Sequence, residues 1–259
     1  MKIALQLYSL RELIKTEEDV IATLTQVKKI GYQAVQLSGI GRFTEEKVEL
    51  FSRVCKDLGL EIMATHVDFN QLKDEFEDVV RFQKALGATY LGIGAMPDQF
   101  DRKNLNHYQD FIFEMNKLSK KLLTHQIKLV YHNHAYEFAK YGSFIPMNII
   151  IQNISKNSLT LEPDLYWLQF AGVNPTEFIR RYRDFIEIIH IKDMRVKQLD
   201  KWSAVPQFAS IGDGNMGYPS IIEVIQELDF PWVIIEQDDF YGADPFVEIA
   251  NSLKFVKGL

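Results

Sequence analysis

A chain of 259 residues, 47% hydrophobic and 25% charged, carries enough apolar material for a large α/β core. Its single cysteine, Cys55, sits among helix-forming residues as a small core side chain; it excludes an intrachain disulfide and fits the reducing cytoplasm. A net charge of −6 without a basic run speaks against nucleic acid as a partner. The apolar start from Met1 to Leu10, interrupted by Gln6 and Tyr8, is too short for a signal peptide or a membrane span, so no membrane partner is expected.

The opening run, residues 3–8, reads as a buried strand. Thr16 ahead of Glu17, Glu18 and Asp19 starts a helix over 17–30, with acids at its positive end. Gly31 closes it, as Gly59 and Gly87 close helices over 44–58 and 71–86. Strands over 34–38, 61–65 and 90–93 follow these three helices. A helix over 104–125, a strand over 128–133, a helix over 143–153 and a strand over 159–162 come next. Pro163 cannot donate to a ladder and stops that last strand. Asn174-Pro175 opens a helix over 175–182, before a strand over 186–191. Residues 194–218, with Trp202, Phe208, Gly212, Gly214 and Gly217, read as an irregular functional loop over the strand ends. Pro219-Ser220 and Asp244-Pro245 open helices over 219–228 and 244–257, on either side of a strand at 232–236. Eight strands alternating with eight helices predict a parallel sheet, and the count and length predict a (β/α)8 TIM barrel, one domain spanning residues 1–259.

That topology gives meaning to four polar strand ends. Parallel strands send their C-terminal ends to one face, where barrels build sites. Residues two apart share a side of a strand, which pairs His132 with His134, Glu162 with Asp164, His190 with Lys192 and Glu236 with Asp238. Neighbouring tips can then surround one ion with His, Asp, His and Glu.

With these strings in place, the chain resembles the sugar phosphate isomerase/epimerase superfamily, the xylose isomerase-like barrels. The resemblance runs from Gln6-Leu7-Tyr8-Ser9-Leu10-Arg11 through His66 to Tyr131-His132-Asn133-His134 and Glu137-Phe138. It continues in Asp164-Leu165-Tyr166-Trp167, Ala171-Gly172, His190-Ile191-Lys192-Asp193, Ile211-Gly212-Asp213-Gly214 and Ile235-Glu236-Gln237-Asp238. It implies one divalent ion on Asp164, His190 and Glu236, with a fourth ligand from strand five. Many relatives have Glu at that position, and this chain has His132. Two nitrogens and two carboxylates suit Mn, Zn, Fe or Co better than Mg. The departure also breaks the pair of metal-bound glutamates that move protons in epimerase relatives, leaving Glu162 to compensate as ligand or base.

The resemblance implies a divalent-metal-dependent isomerase or epimerase acting on a keto- or aldo-sugar through an enediolate. A lyase on a 3-keto-glycoside-type substrate is the alternative. The expected catalytic residues are His134, Glu236 and Glu162. His66, Lys192, Glu137 and Trp202 are the expected substrate contacts. The expected partner is a small sugar or sugar derivative, and a homodimer is compatible with such a barrel. Two other readings compete. A metal-dependent hydrolase of the endonuclease-IV-like branch needs more ligands than six histidines offer and a cationic groove. A non-catalytic sugar-binding barrel with a degenerate site draws its support from His132. Gly212-Asp213-Gly214 reads as a tight turn, because it lacks the lysine and the strand–glycine–helix order of a phosphate loop.

Overall fold

The computed structural model describes residues 1–259. In chain order, β1 (Lys2–Gln6) leads through a 3-10 turn (Leu7–Leu13) into α1 (Glu17–Ile30). Then come β2 (Ala34–Leu37), α2 (Glu45–Leu58), β3 (Glu61–His66), α3 (Phe69–Asp74), α4 (Phe76–Leu86) and β4 (Tyr90–Ile93). The second half holds α5 (Leu105–Thr124), β5 (Lys128–His132), α6 (Pro146–Asn153), β6 (Leu159–Glu162), α7 (Leu165–Phe170), α8 (Pro175–Arg181) and β7 (Ile188–Ile191). It ends with β8 (Asp193–Gln198), β9 (Ala204–Ala209), α9 (Tyr218–Glu227), β10 (Trp232–Ile235) and α10 (Pro245–Lys257).

Eight of these strands form one parallel sheet in the order β6-β5-β4-β3-β2-β1-β10-β7. Its outer strands meet through two parallel bridges, Leu161 to Ile186 and Asp164 to His190, so the sheet curls into a nearly closed barrel. The expected (β/α)8 barrel is therefore the observed fold. Connections obey local chemistry. Thr16 Oγ1 accepts from Asp19 N–H while Asp19 Oδ2 accepts from Thr16 N–H, a reciprocal cap on α1. Gly31 ends that helix at φ +113°, a backbone setting that a Cβ disfavours.

Because side chains alternate along a strand, each strand has an outward and an inward face. The outward residues join the helices in a core of 62 buried side chains. A smaller cluster, including Ala4, Ala34, Ala64, Val130, Ile188 and Ile234, fills the barrel interior. Two residues further along the same strands, the interior changes character. There stand Gln6, Gln36, His66, His132, His190 and Glu236, and Glu162 occupies the same level on β6. All are buried except His66, which is partly exposed. The polar layer thus begins one pleat above an apolar plug, at the C-terminal end of the barrel.

Besides the short helix α7, which no expected element covers, three features differ from the sequence reading. Residues 7–13 turn into 3-10 helix instead of extending β1. The expected helix over 71–86 is two helices, α3 and α4, broken at Glu75. The stretch expected to be an irregular loop contains an antiparallel hairpin, β8–β9, paired from Asp193–Ala209 to Gln198–Ala204. Its outer residues are exposed, so no burial pattern marks it, and Pro206 sits within one strand. No helix is long and apolar enough to cross a membrane.

Candidate metal centre

The inward residues of the polar layer and those just beyond it form two tiers. In the lower tier, Gln36 Nε2 donates to Glu162 Oε1 (2.8 Å), and His66 Nε2 lies 2.6 Å from Glu162 Oε2. His190 Nε2 faces Gln36 Oε1 (2.6 Å) and Glu162 Oε1 (3.1 Å). Both oxygens of Glu162 are therefore engaged beneath the cavity. Gly92 on β4 makes this possible, since a Cβ there would meet His66 Cδ2 at 2.4 Å.

In the upper tier, one ligand atom from each of His132, Asp164, His190 and Glu236 lies within 4.8 Å of the others, and all four residues are buried. His132 Nε2 is 3.3 Å from Asp164 Oδ2, and His190 Nδ1 is 2.7 Å from Glu236 Oε2. Metal–ligand bonds of 2.0–2.1 Å in a tetrahedron put neighbouring donors roughly 3.3 Å apart. The His132–Asp164 pair has that spacing. The His190–Glu236 pair is drawn closer by a hydrogen that an ion would replace. Two imidazoles and two carboxylates, buried and converging, are a donor set able to hold a divalent ion. Asp164 is fixed in place by a second duty: its Oδ1 accepts from the N–H groups of Tyr166 and Trp167, capping α7. His190 is oriented from below by Glu162 and Gln36, the outer partners expected of a ligating imidazole.

A lysine completes the upper tier. Lys192 Nζ lies 2.9 Å from Asp164 Oδ2, 3.1 Å from Glu236 Oε2, and 3.0 and 3.1 Å from the two oxygens of Asp238. It is 2% exposed.

Burial and charge set the protonation of the centre. Burial would raise the Asp164 and Glu236 carboxyls, but Lys192 and the neighbouring histidines outweigh it and hold both below the usual carboxylate range. Burial likewise opposes ionisation of Glu162, and His190 and His66 overcome it. For His190, burial favours the neutral ring, yet Glu162 and Glu236 raise its pKa to about 10. Burial, followed by the charges of Glu236 and Asp164, pushes Asp238 up to about 7 against the pull of Lys192. Burial, then His132 and Lys192, push His134 down to about 3, so its ring is a free base at neutral pH. His132 is also lowered, chiefly by burial.

The centre opens into a cavity of about 1030 Å³. His66, His132, His134, Trp167, Lys192, Glu236 and Asp238 form its inner wall. Its outer wall comes from the segments after β2, β3 and β4, with Arg42, Asn70, Gln99 and Arg102. His134 stacks on Tyr136 (ring centroids 5.3 Å apart) and packs beside Trp167 (5.4 Å), which holds its ring at the cavity edge.

Of the residues expected at the site, the structure brings His66, His132, His134, Asp164, His190, Lys192 and Glu236 together. Glu162 is adjacent but lies under the cavity rather than on its wall. Glu137, expected to touch substrate, is wholly buried elsewhere. Its Oε1 accepts from Tyr131 OH (2.5 Å) and its Oε2 from His134 N–H (2.9 Å), so it braces the turn after β5. Trp202, also expected at the substrate, stands near the tip of the β8–β9 hairpin, 87% exposed and outside the cavity wall. The hairpin pairing carries it outward, where a structureless loop would have let it fold back. Gln36 is the residue that the sequence reading missed; the rule of two that links His132 to Val130 also links Gln36 to Ala34. The turn expected at Gly212–Gly214 is present, and the Gly212 and Gly214 N–H groups donate to Asp193 Oδ2.

Fold and centre together define a (β/α)8 barrel with a metal-type site at the C-terminal mouth. The chain belongs to the xylose isomerase-like TIM barrel family, whose model matches residues 24–258. It is 25% identical to an inosose dehydratase of Mesomycoplasma hyopneumoniae over 276 aligned positions, covering 91% of this chain and 87% of that one. A sugar phosphate isomerase/epimerase from Parabacteroides distasonis superposes with a TM-score of 0.80 at 21% identity, over 98% of this chain and 96% of that one. Two further solved barrels share the fold. A xylose isomerase-like protein of Mycobacterium smegmatis in complex with magnesium has a TM-score of 0.73 at 16% identity (98% and 95% covered). The IolI protein with a bound zinc atom has a TM-score of 0.70 at 15% identity (98% and 96% covered).

Proposed function

We propose that this chain is a metal-dependent enzyme that abstracts a proton next to a carbonyl of a sugar or sugar derivative. Returning the proton to another face or carbon gives epimerization or isomerization. Loss of a neighbouring hydroxyl gives a dehydratase, the outcome that similarity to an inosose dehydratase favours. The carrying observation is the convergence of His132, Asp164, His190 and Glu236 next to His134, which lines the same cavity as His132 and Glu236.

His132, Asp164, His190 and Glu236 would hold one divalent ion, and the donor set favours Mn, Zn, Fe or Co over Mg. When bound, the ion supplies Lewis acidity that stabilises negative charge developing on the carbonyl oxygen. His134 stands on the cavity wall where it can take the proton at the adjacent carbon. Glu236 provides a carboxylate on the same cavity wall. Lys192 adds positive charge on the same side and can donate to a substrate oxygen. Trp167 and Tyr136 fix the His134 ring and limit water around it.

The test is exchange of substrate protons with solvent. Metal-loaded protein is incubated in D2O with keto-inositols and keto-sugars, and the α-carbon is followed by NMR. Deuterium entry for epimerization or isomerization, or loss of the α-proton with release of the β-hydroxyl as water for dehydration, is the expected result, and each is lost on chelation. A metal-loaded protein that neither exchanges nor loses an α-proton across the panel would refute the reading.

A further inference from the structure

The cation nearest the four ligands belongs to the chain itself. Lys192 follows His190 by two residues, and its ammonium touches Asp164 Oδ2 and Glu236 Oε2. Those two residues supply the carboxylates of the ligand set. Its third carboxylate, Asp238, stands outside that set and offers both oxygens at 3.0 and 3.1 Å. Lys192 is the one lysine among the buried residues, so water does not share its charge.

We propose that Lys192 and the divalent ion compete for Asp164 and Glu236, with Asp238 as the post onto which the ammonium withdraws when the ion enters. The proposal rests on the metal-dependent reading above. Its basis is geometric and electrostatic. An ion bound through the same carboxylates would stand next to the ammonium in a buried space, where like charges are poorly screened. Either the amine moves or the ion is held weakly. Asp238 gives it somewhere to move without leaving a buried charge unpaired. In the metal-free protein the same lysine neutralises carboxylates that would otherwise repel one another. The barrel can thus fold before it is loaded, unlike small domains whose folding depends on metal.

The competition is read from zinc affinity, measured by titration against a chromophoric chelator. Wild type is compared with Lys192→Met and with Arg102→Met, a cavity-wall cation bonded to Met96 O and paired with Asp98, away from the ligands. The expected result is binding at least tenfold tighter in Lys192→Met and within twofold of wild type in Arg102→Met. The metal-free Lys192→Met protein should also melt lower than wild type and recover with zinc. A second measurement needs only the wild type. In [15N]lysine-labelled protein, the exchange-protected ammonium signal of Lys192 should shift on adding one equivalent of zinc. Equal zinc affinity in wild type and Lys192→Met, or an unmoved ammonium signal at full zinc occupancy, overturns the competition and leaves the metal reading standing. Absence of zinc binding in every protein overturns both.

Discussion

Gly92→Ala tests the packing that places the lower tier. Gly92 is not in a left-handed conformation, so alanine meets no backbone penalty there. It meets the imidazole instead: the new Cβ would lie 2.4 Å from His66 Cδ2, 2.8 Å from its Nε2 and 3.2 Å from Glu162 Oε2. Overpacking of this kind costs about 1–3 kcal/mol. Pushing His66 aside also breaks its 2.6 Å contact with the buried Glu162 carboxylate, a charge-assisted bond of about 1.5–3 kcal/mol. Against this, removing a glycine from the unfolded chain returns about 0.4–1 kcal/mol. The net expectation is a loss of about 3 kcal/mol, or about 6 °C in Tm for a chain of this size. The assay is chemical denaturation of wild type, Gly92→Ala, His66→Ala and the double variant. With the ring gone, alanine at 92 should cost less than about 1 kcal/mol, so the two substitutions should couple by about 2 kcal/mol. Equal costs in both backgrounds would refute the reasoning, because the ring would not then be what glycine accommodates.

Other expectations follow from the same geometry. Burial raises Glu137 from 4.5 to about 7. The folded chain then keeps a proton that the unfolded chain releases, so stability falls as pH rises from 4.5 to 7 and levels off above, by about 3 kcal/mol in all. Glu137→Gln, which can still bond to Tyr131 and the His134 N–H, should flatten that stretch of the stability–pH curve; an unchanged slope would exclude Glu137 as its source. His134→Gln should lower α-proton exchange by on the order of 10²–10⁴ while leaving metal content at wild-type level, and retention of the rate within tenfold would remove His134 as the base. Trp202→Ala should leave KM within twofold of wild type, because the side chain lies off the cavity; a larger rise in KM would place the hairpin tip over bound substrate.

The barrel was legible in the sequence because its signals are local and repeated. Apolar runs of strand length, helix-ending glycines and capped helix starts recur in order, and each depends on a few adjacent residues. The convergence of His132, Asp164, His190 and Glu236 followed from one further step, that parallel strands end on one face. What escaped the reading depends on contacts that sequence spacing does not encode. The six-residue α7 is apolar almost throughout and exists because Asp164 caps it, a role hidden behind its place in the ligand set. The β8–β9 hairpin is exposed, so it shows no burial alternation. Glu137 reads as a substrate contact until Tyr131 and the His134 N–H are brought onto it. The depth of Lys192 is set by three carboxylates from the residues just after β6 and β10, none of which its neighbours in sequence announce.

The seam between β6 and β7 has a consequence for how the barrel comes apart. Every other neighbouring pair of strands shares a ladder, whereas this one is joined by two isolated bridges, and the second joins Asp164 to His190. Those are also two of the four residues proposed to hold the ion, one on each side of the gap. An ion held between them would act as a rivet across that joint. Transient opening would begin there in the empty protein and would have to begin elsewhere in the loaded one. The rate of opening, seen as hydrogen exchange along β6 and β7 or as cleavage between them, would then report occupancy of the centre.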